Sequence, residues 1–389
     1  MLTLFRDLRD FFVSLKLTVA LIALSILLVL LATLDQVHLG VWAIQAKWFY
    51  SWIVWSPVGE FNLPIYFGGY TIGGFLLANL LAAHIYRFQF TWRKLGIHLA
   101  HAGLILLIVG QLCTGLLQDE YQMRIDQGAT TNFSESYRNV ELAVTDTTDP
   151  QFDEVVAIPE SPLARKQTVQ HPKLPFRVTV KTWLPNSALR SRASTDGDSV
   201  EPIDGLGARI VATISPLTYK QDERNLPSAL VQLDGPDGKI GTYLVSVHLL
   251  ESQWFKYAGH QYKLALRFAR HYQPFSLTLL KFSHDTYAGT DIPKNFSSRV
   301  RLRTPDGTGD REVLIYMNSP LRYGGLTFYQ SGFENNDRTT VLQVVRNPSW
   351  LVPYIACVVM TLGLLFQFGL HLVGFATRRT AATKSPSAA

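Results

Sequence analysis

The sequence predicts a membrane α-helical bundle of four transmembrane helices joined to a large, mainly β extracytoplasmic domain. Three observations carry that prediction. Apolar residues make up 47% of the 389, and they gather into four long runs instead of spreading evenly. Between the third and fourth runs lie about 230 residues rich in alternating, β-branched patterns and Asp-Gly turns. The net charge is +6, and its excess sits beside the apolar runs, where membrane proteins carry it. No basic stripe with interleaved aromatics suggests nucleic acid.

A hydrocarbon core needs about 20 mostly apolar residues per helix. The first run, Leu17 to Leu34, is bracketed by Lys16 and Asp35. A cleaved signal peptide would have an apolar region of only about 7–15 residues before a small-residue cleavage site. This run is longer and ends in Leu34-Asp35, so it reads as a span. The second run is Gly69 to Phe88, the third Leu95 to Leu117, and the fourth Leu351 to Val373, within a segment 349–375. Together with the segment 36–63, the first three form a membrane region 1–117.

Basic residues close to span ends stay cytoplasmic. Arg6, Arg9 and Lys16 precede the first run, Arg87, Arg93 and Lys94 separate the second from the third, and Arg378 and Arg379 follow the fourth. All three clusters agree with both termini inside and residues 118–348 outside. The expected localisation is the plasma (inner) membrane, multi-pass, with a mobile cytoplasmic tail over 376–389. The segment 36–63 carries Trp42, Trp48, Trp52 and Trp55 with Phe49 and Tyr50. Such rings favour the headgroup level, so it reads as an interfacial helix; a face for a partner or for the edge of a flat cofactor is the alternative.

The outer domain is patterned as strands. FRVTVKTWL, Phe176 to Leu184, alternates. SALVQLDGPDGKIGTYLVSVHL reads as a hairpin turning at Asp234 to Gly238, and VRLRTPDGTGDREVLIYM as another turning near Pro305-Asp306-Gly307. YKLALRFARHY and FSLTLLKFSHDTY add two strands, and TTVLQVVRN a last one. Strands at this density suggest a sandwich or a pair of small sheets. Leu189 to Gly207, rich in Ser, Asp and Gly, reads as a loop.

Catalytic signatures are missing. There is no G-x-S-x-G, H-E-x-x-H or P-loop. The two cysteines, Cys113 and Cys357, lie inside apolar runs with no C-x-x-C, which argues against thiol exchange and Cys-based zinc. His171, His248, His260, His271 and His284 are scattered through the outer domain and read as surface or strand residues. His260, beside Tyr257 and Tyr262, and His271, beside Tyr272, are the least ordinary.

The spans carry more chemistry. His84, His98, His101 and His371 fall in or at the ends of apolar runs, where an ionisable group faces protein or a polar cavity. The second and third runs form a hairpin centred near Thr91. His84 lies seven residues before it and His98 seven after, so at about 1.5 Å per residue the two share one depth. His101 is i+3 from His98, on the same face. Gly96, Gly103 and Gly110 repeat every seven residues on the roughly opposite face and predict a helix-packing seam. Imidazole is an axial ligand for haem iron, and Arg87, Arg93 and Lys94 would suit the propionates. Interhelical hydrogen bonding is the plainer reading.

The last quarter is the most specific part. NFSSRV and YMNSPLRYGGLTFYQSGF occupy Asn295 to Phe333, and RNPSWLVPY then opens the last apolar run. NFSS and YMNSPL are expected as paired strands. Tyr316, Tyr323, Phe328 and Tyr329 are candidates for a partner or haem surface, or equally for core. This block, with three early spans, one outer domain and one late span, resembles the ResB (CcsB) family of cytochrome c biogenesis proteins. The resemblance implies a membrane subunit of system II that helps move haem b, as transported ligand, to apocytochrome c beside a CcsA-type membrane protein. Thioether formation at C-x-x-C-H would not be performed by this chain, which shows no catalytic group for it and no W-G-x-x-W-x-W-D motif. It would be an accessory subunit of a haem-lyase (synthetase) complex. ResB-like halves of fused CcsBA proteins contribute a membrane histidine to a haem site, and His84, in NLLAAHIYRF, best matches it. His84 and His98 are thus the expected iron ligands, with His101 as a supporting cofactor-binding residue. The alternative is a haem-free scaffold that stabilises CcsA or presents apocytochrome c.

Overall fold

The computed structural model describes residues 2–59, 61–87, 91–192, 203–218, 223–249, 251–287, 289 and 293–383. They fall into two compact units. One is helical, built from Met1–Asp119 and Asn347–Ala389; the other is β, built from Glu120–Thr218 and Asp222–Arg346.

The helical unit starts with α1 (Leu2–Phe12), whose Leu4, Phe5, Leu8 and Phe11 recur at helical spacing and are exposed. A break at Val13-Ser14 leads into α2 (Leu15–Ile44), which is interrupted at Gly40, where φ is +75°. Only glycine adopts that conformation without strain. The chain then turns back through a π-helical turn, Gln45–Phe49, and forms an antiparallel hairpin of β1 (Ile53–Val58) and β2 (Phe61–Phe67). The single interfacial helix expected over 36–63 is therefore replaced by a kinked helix end and a ribbon. Pro57 and Pro64 bar helix continuation, and Gly59, at φ +65°, makes the turn. Asp35 fixes the reversal: its Oδ2 accepts from Lys47 Nζ and from buried Trp48 Nε1, each at 2.8 Å.

Next come α3 (Gly69–Tyr86) and, after a 3₁₀ turn at Trp92–Lys94, α4 (Leu95–Leu117). Phe88 to Phe90 of their connection lie outside the described residues. Among the described residues, three helical stretches are long and apolar enough to cross a membrane: Leu15–Val37, Trp92–Leu117 and Val352–Thr377. α3 is a helix where the second span was expected, but it is not among these three. It has 18 residues, with Asn79, His84 and three glycines diluting its apolar content.

In the β unit, β3 (Asp119–Asp126), β4 (Thr130–Asp146) and β5 (Glu154–Pro159) precede the short α5 (Glu160–Ala164). β6 (Thr168–Val169), β7 (Arg177–Leu184), β8 (Ser187–Ser191) and β9 (Ile210–Ile214) follow. Then come β10 (Ser228–Gly235), β11 (Gly238–Ser246), β12 (Gln253–Tyr257), β13 (His260–Thr286) and β14 (Pro293–Arg303). β15 (Arg311–Tyr316), β16 (Leu321–Tyr323), β17 (Leu326–Glu334) and β18 (Thr339–Arg346) complete the unit. The hairpin turns at Asp234–Gly238 and near Pro305-Asp306-Gly307 stand where the Asp-Gly signals put them. Of the loop expected over 189–207, residues 193–202 lie outside the described residues; Leu189 to Ser191 are strand, and Gly205–Ala208 a 3₁₀ turn.

One element differs sharply from its reading. The two strands expected on either side of Pro274 are a single strand, β13, of 27 residues. Proline removes a ladder donor, which reads as a break. Here the register with β4 jumps between Tyr272 and Leu277, so Pro274 sits in the irregularity. The long β4–β13 ribbon then serves two cores. Val140, Leu142 and Val144 with Leu264 and Leu266 pack against β7 and β10 residues such as Val178 and Val231. Met123, Leu277, Leu279, Val300, Ile315, Phe328 and Leu342 form the second core.

The chain re-enters the helical unit at Asn347. Its Oδ1 accepts from Ser349 N and Oγ, and its Nδ2 donates to Gln118 Oε1 at 3.3 Å, beside the end of α4. α6 (Val352–Thr383) runs past the expected end of the last span, so the described part of 376–389 is helix; residues 384–389 lie outside the described residues. Along α4, Gly96, Gly103 and Gly110 are buried against α6. A Cβ on Gly96 would stand 2.5 Å from Gly363 O, and one on Gly103 2.8 Å from Ala356 O. The seven-residue glycine seam is real, and its occupant is α6.

Candidate functional site

The glycine face of α4 is taken by α6, which leaves His98 and His101 on the side that meets α3. There His84 completes a cluster. The His84 and His98 rings lie 5.5 Å apart, edge to face at 81°, and the His84 and His101 rings 6.3 Å apart at 28°. His84 and His98 are half-buried and His101 is exposed. His101 Nδ1 lies 2.7 Å from Ile97 O. A carbonyl only accepts, so Nδ1 is the donor in this contact, and Nε2 is the ring nitrogen turned away from it. His371, the fourth histidine, instead lies 3.1 Å from Gln367 through its Nε2.

What sets the depth of α3 is Asn79, a residue the sequence reading passed over. It is buried, its Nδ2 donates to Phe12 O (2.7 Å) and Ser14 O (3.2 Å), and its Oδ1 accepts from Thr18 Oγ1 (2.6 Å). These partners cap the break between α1 and α2, where backbone carbonyls would otherwise go unpaired in an apolar setting. Phe12 also stacks on Phe75 at 6.0 Å. A lone Asn and a Thr inside apolar runs were the available signal. His84 lies five residues beyond Asn79, about 7.5 Å further along the helix. The imidazoles therefore gather near the foot of α2, with Arg87, Arg93 and Lys94 exposed beside them in sequence.

Among the described residues, no three His, Cys, Asp or Glu side chains are grouped to hold a bare metal ion. Haem iron asks for less, since its macrocycle fills four positions and the protein supplies one or two axial ligands. The imidazoles of His84, His98 and His101 are side chains of the type that fits that demand.

In the β unit the histidines do ordinary work, with one exception. His248 Nε2 meets Ser187 O at 2.7 Å, and the His271 ring lies 4.1 Å from that of Tyr121. His284 pairs with Asp337 at 3.3 Å and lies against Phe333. The exception is His260, whose Nδ1 lies 2.7 Å from Asp146 Oδ2 while the ring stays exposed. Burial would raise the Asp146 carboxyl, but hydrogen bonds from the Thr148 hydroxyl and amide, and from His260, hold it below the usual carboxylate range.

The C-terminal aromatic block divides. Phe328 is fully buried and Tyr323 packs edge-on against Phe275 at 4.9 Å, so both are core; Tyr316 and Tyr329 are exposed. NFSS pairs with the strand ending at Tyr316, through Ser297↔Tyr316 and Ser298↔Ile315. The rest of YMNSPL turns away at Asn318, where φ is +61°. Gln330 belongs to a polar core: Ser298 Oγ is 2.7 Å from both Gln330 Oε1 and Thr340 Oγ1.

Residues 237–340 match the ResB-like family. This stretch runs from the β10–β11 turn to the start of β18 and contains none of the clustered membrane histidines. Protein NrfI of Wolinella succinogenes is 34% identical over 94 residues, 24% of this chain and 10% of NrfI. The matched part thus spans only about a tenth of that relative's length.

Proposed function

From the match of residues 237–340 to the ResB-like family, we propose that the chain is a member that serves cytochrome c biogenesis as a haem-handling membrane subunit. It takes haem b at the cytoplasmic face, and with a CcsA-type partner moves it outward for attachment to apocytochrome c. Its cargo is haem; this chain contributes ligands and position, not the thioether chemistry. The observation that carries the reading is the convergence of His84, His98 and His101 at the foot of the helical unit. His84 and His98 are the proposed iron ligands. His101, tied to Ile97 O, supports them, and Arg87, Arg93 and Lys94 would meet the propionates.

The reading includes α3 as a fourth crossing. Its His84 and Asn79 are expensive in lipid unless they face protein, and Asn79 is fully paired there. With α3 crossing, both termini are cytoplasmic and the β unit extracytoplasmic, in keeping with all three basic clusters.

The scaffold alternative draws on one observation: the family match lies wholly in the β unit. Purification of the full chain in detergent separates the two. The haem reading expects a Soret band that His84→Ala/His98→Ala removes at unchanged protein yield. Unchanged haem in that double variant would leave the scaffold as the better account.

A further inference from the structure

We propose that α1 is an interfacial anchor: it lies along the membrane surface, with Leu4, Phe5, Leu8 and Phe11 sunk at the boundary between headgroups and acyl chains. This holds whether or not the chain handles haem.

At about 100° per residue, Leu4, Phe5, Leu8, Phe11 and Phe12 fall within an arc of about 120° of the helix. Arg6, Asp7, Arg9 and Asp10 take the remaining circumference. Leu4 is 61% exposed, Phe5 70%, Leu8 48% and Phe11 51%. A contiguous apolar face this open marks a contact with protein or with membrane.

Its place in the chain selects the membrane. Leu15–Val37 is long and apolar enough to cross a bilayer, and α1 ends at Phe12, with only Val13 and Ser14 between them. The C-terminal end of α1 therefore stands at the level where that stretch meets the headgroups. The break is pinned there: Asn79 Nδ2 donates to Phe12 O and Ser14 O, and Asn79 Oδ1 accepts from Thr18 Oγ1, within the first turn of α2. Phe12 also fixes which way the apolar face looks. It belongs to the same arc as Phe5 and Leu8, and its ring stacks on Phe75 of α3 at 6.0 Å and 12°. The arc is turned toward the apolar helices of this unit and the acyl chains beside them, and the charged face toward water.

Charge identifies the force. Arg6 and Arg9 are cancelled by Asp7 and Asp10, and Arg9 Nη2 lies 2.7 Å from Asp10 Oδ1. A helix without net charge gains little from anionic headgroups, so burial of its apolar arc is what holds it down. Because Asn79 bonds to the end of α1, the anchored helix also holds the level at which α3 stands.

The test is nitroxide accessibility in the full chain, in phosphatidylcholine nanodiscs, after Cys113→Ala and Cys357→Ala remove its two cysteines. The ratio of collisions with oxygen to collisions with a water-soluble nickel chelate should be several-fold higher for labels at Phe5→Cys and Leu8→Cys than at Arg6→Cys and Asp10→Cys. Equal ratios at all four positions would put α1 in water and overturn the anchor. Exclusion of both reagents at 5 and 8 would put protein there, a second copy included, and overturn it equally. The same ratios are expected when phosphatidylglycerol replaces part of the lipid; a helix that lies down only then would overturn apolar burial as the cause. If the cysteine-free chain does not fold, benzoylphenylalanine at Phe5 of the chain with its cysteines gives a second reading: lipid adducts are expected, and adducts with protein alone would overturn the proposal.

Discussion

Replacing Gly103 with alanine places a methyl group in the α4–α6 seam. Its Cβ would stand 2.8 Å from Ala356 O, 2.8 Å from Met360 N and 2.9 Å from Met360 Cβ. Non-bonded heavy atoms settle at about 3.5 Å or more, so the helices must part by on the order of 0.7 Å. Two of the three neighbours are backbone and cannot rotate aside. Separation on that scale forfeits about a quarter to a half of each local dispersion contact, and overpacking typically costs about 1–3 kcal/mol. Alanine also gains about 1 kcal/mol of helix propensity over glycine. The net expectation is a loss of about 0–2 kcal/mol. Gly74, on α3, is the internal control, because a Cβ there meets nothing within 4 Å. Gly74→Ala should keep the propensity gain alone, so the two variants should differ by about 1–3 kcal/mol. Unfolding of the full chain in mixed micelles, followed by tryptophan fluorescence, measures the difference. A Gly103→Ala variant as stable as Gly74→Ala would refute the close approach of α4 and α6. The seam also bears on the proposed haem site, since α4 carries His98 and His101 on its other side.

Further expectations follow from the same geometry. Reporter fusions at Ala389 and Gly205 should place the first in the cytoplasm and the second outside; alkaline phosphatase activity at Ala389 would defeat the four-span topology. Exogenous imidazole should restore part of the cytochrome c maturation lost in His84→Ala or His98→Ala, whereas His101→Ala should cost less haem than either; rescue of none, or a larger loss at 101, would reverse the assigned roles. Ser298→Ala should destabilise the protein by about 1–3 kcal/mol, because it strips a partner from Gln330 and Thr340 in the core, and a loss within a few tenths would discount that network. Asp146 titrates below its ordinary value, so its contribution to stability is present above the unfolded carboxylate pKa of about 3.9 and is lost as pH falls through the folded value. Thr148→Ala should therefore move acid unfolding to higher pH; an unmoved acid limb would deny Thr148 that role.

Much of the architecture was legible because its signals are local. Apolar runs of span length, Asp-Gly turns and the seven-residue spacing of Gly96, Gly103 and Gly110 depend only on neighbours along the chain and on helix periodicity. The juxtaposition of His84 with His98 was legible for a similar reason: two helices joined by a short connection bring equidistant residues to one depth. The split of the C-terminal aromatics was not. Phe328 and Tyr329 are adjacent in a strand and face opposite ways, and which of them is core depends on what covers each face.

By itself, then, the sequence determined where apolar helices form, which α4 face is small enough for a neighbour, and where the β unit turns. Tertiary structure decided the rest. It chose α6 as the neighbour, joined β13 across Pro274, and folded 45–67 back on α2 as a ribbon. It also let Asn79, through Phe12, Ser14 and Thr18, set how deep α3 and its histidine stand. Each of these is a contact between residues tens to hundreds of positions apart. Such contacts are chosen by the pairing of polar groups and the filling of space, neither of which leaves a period in the chain.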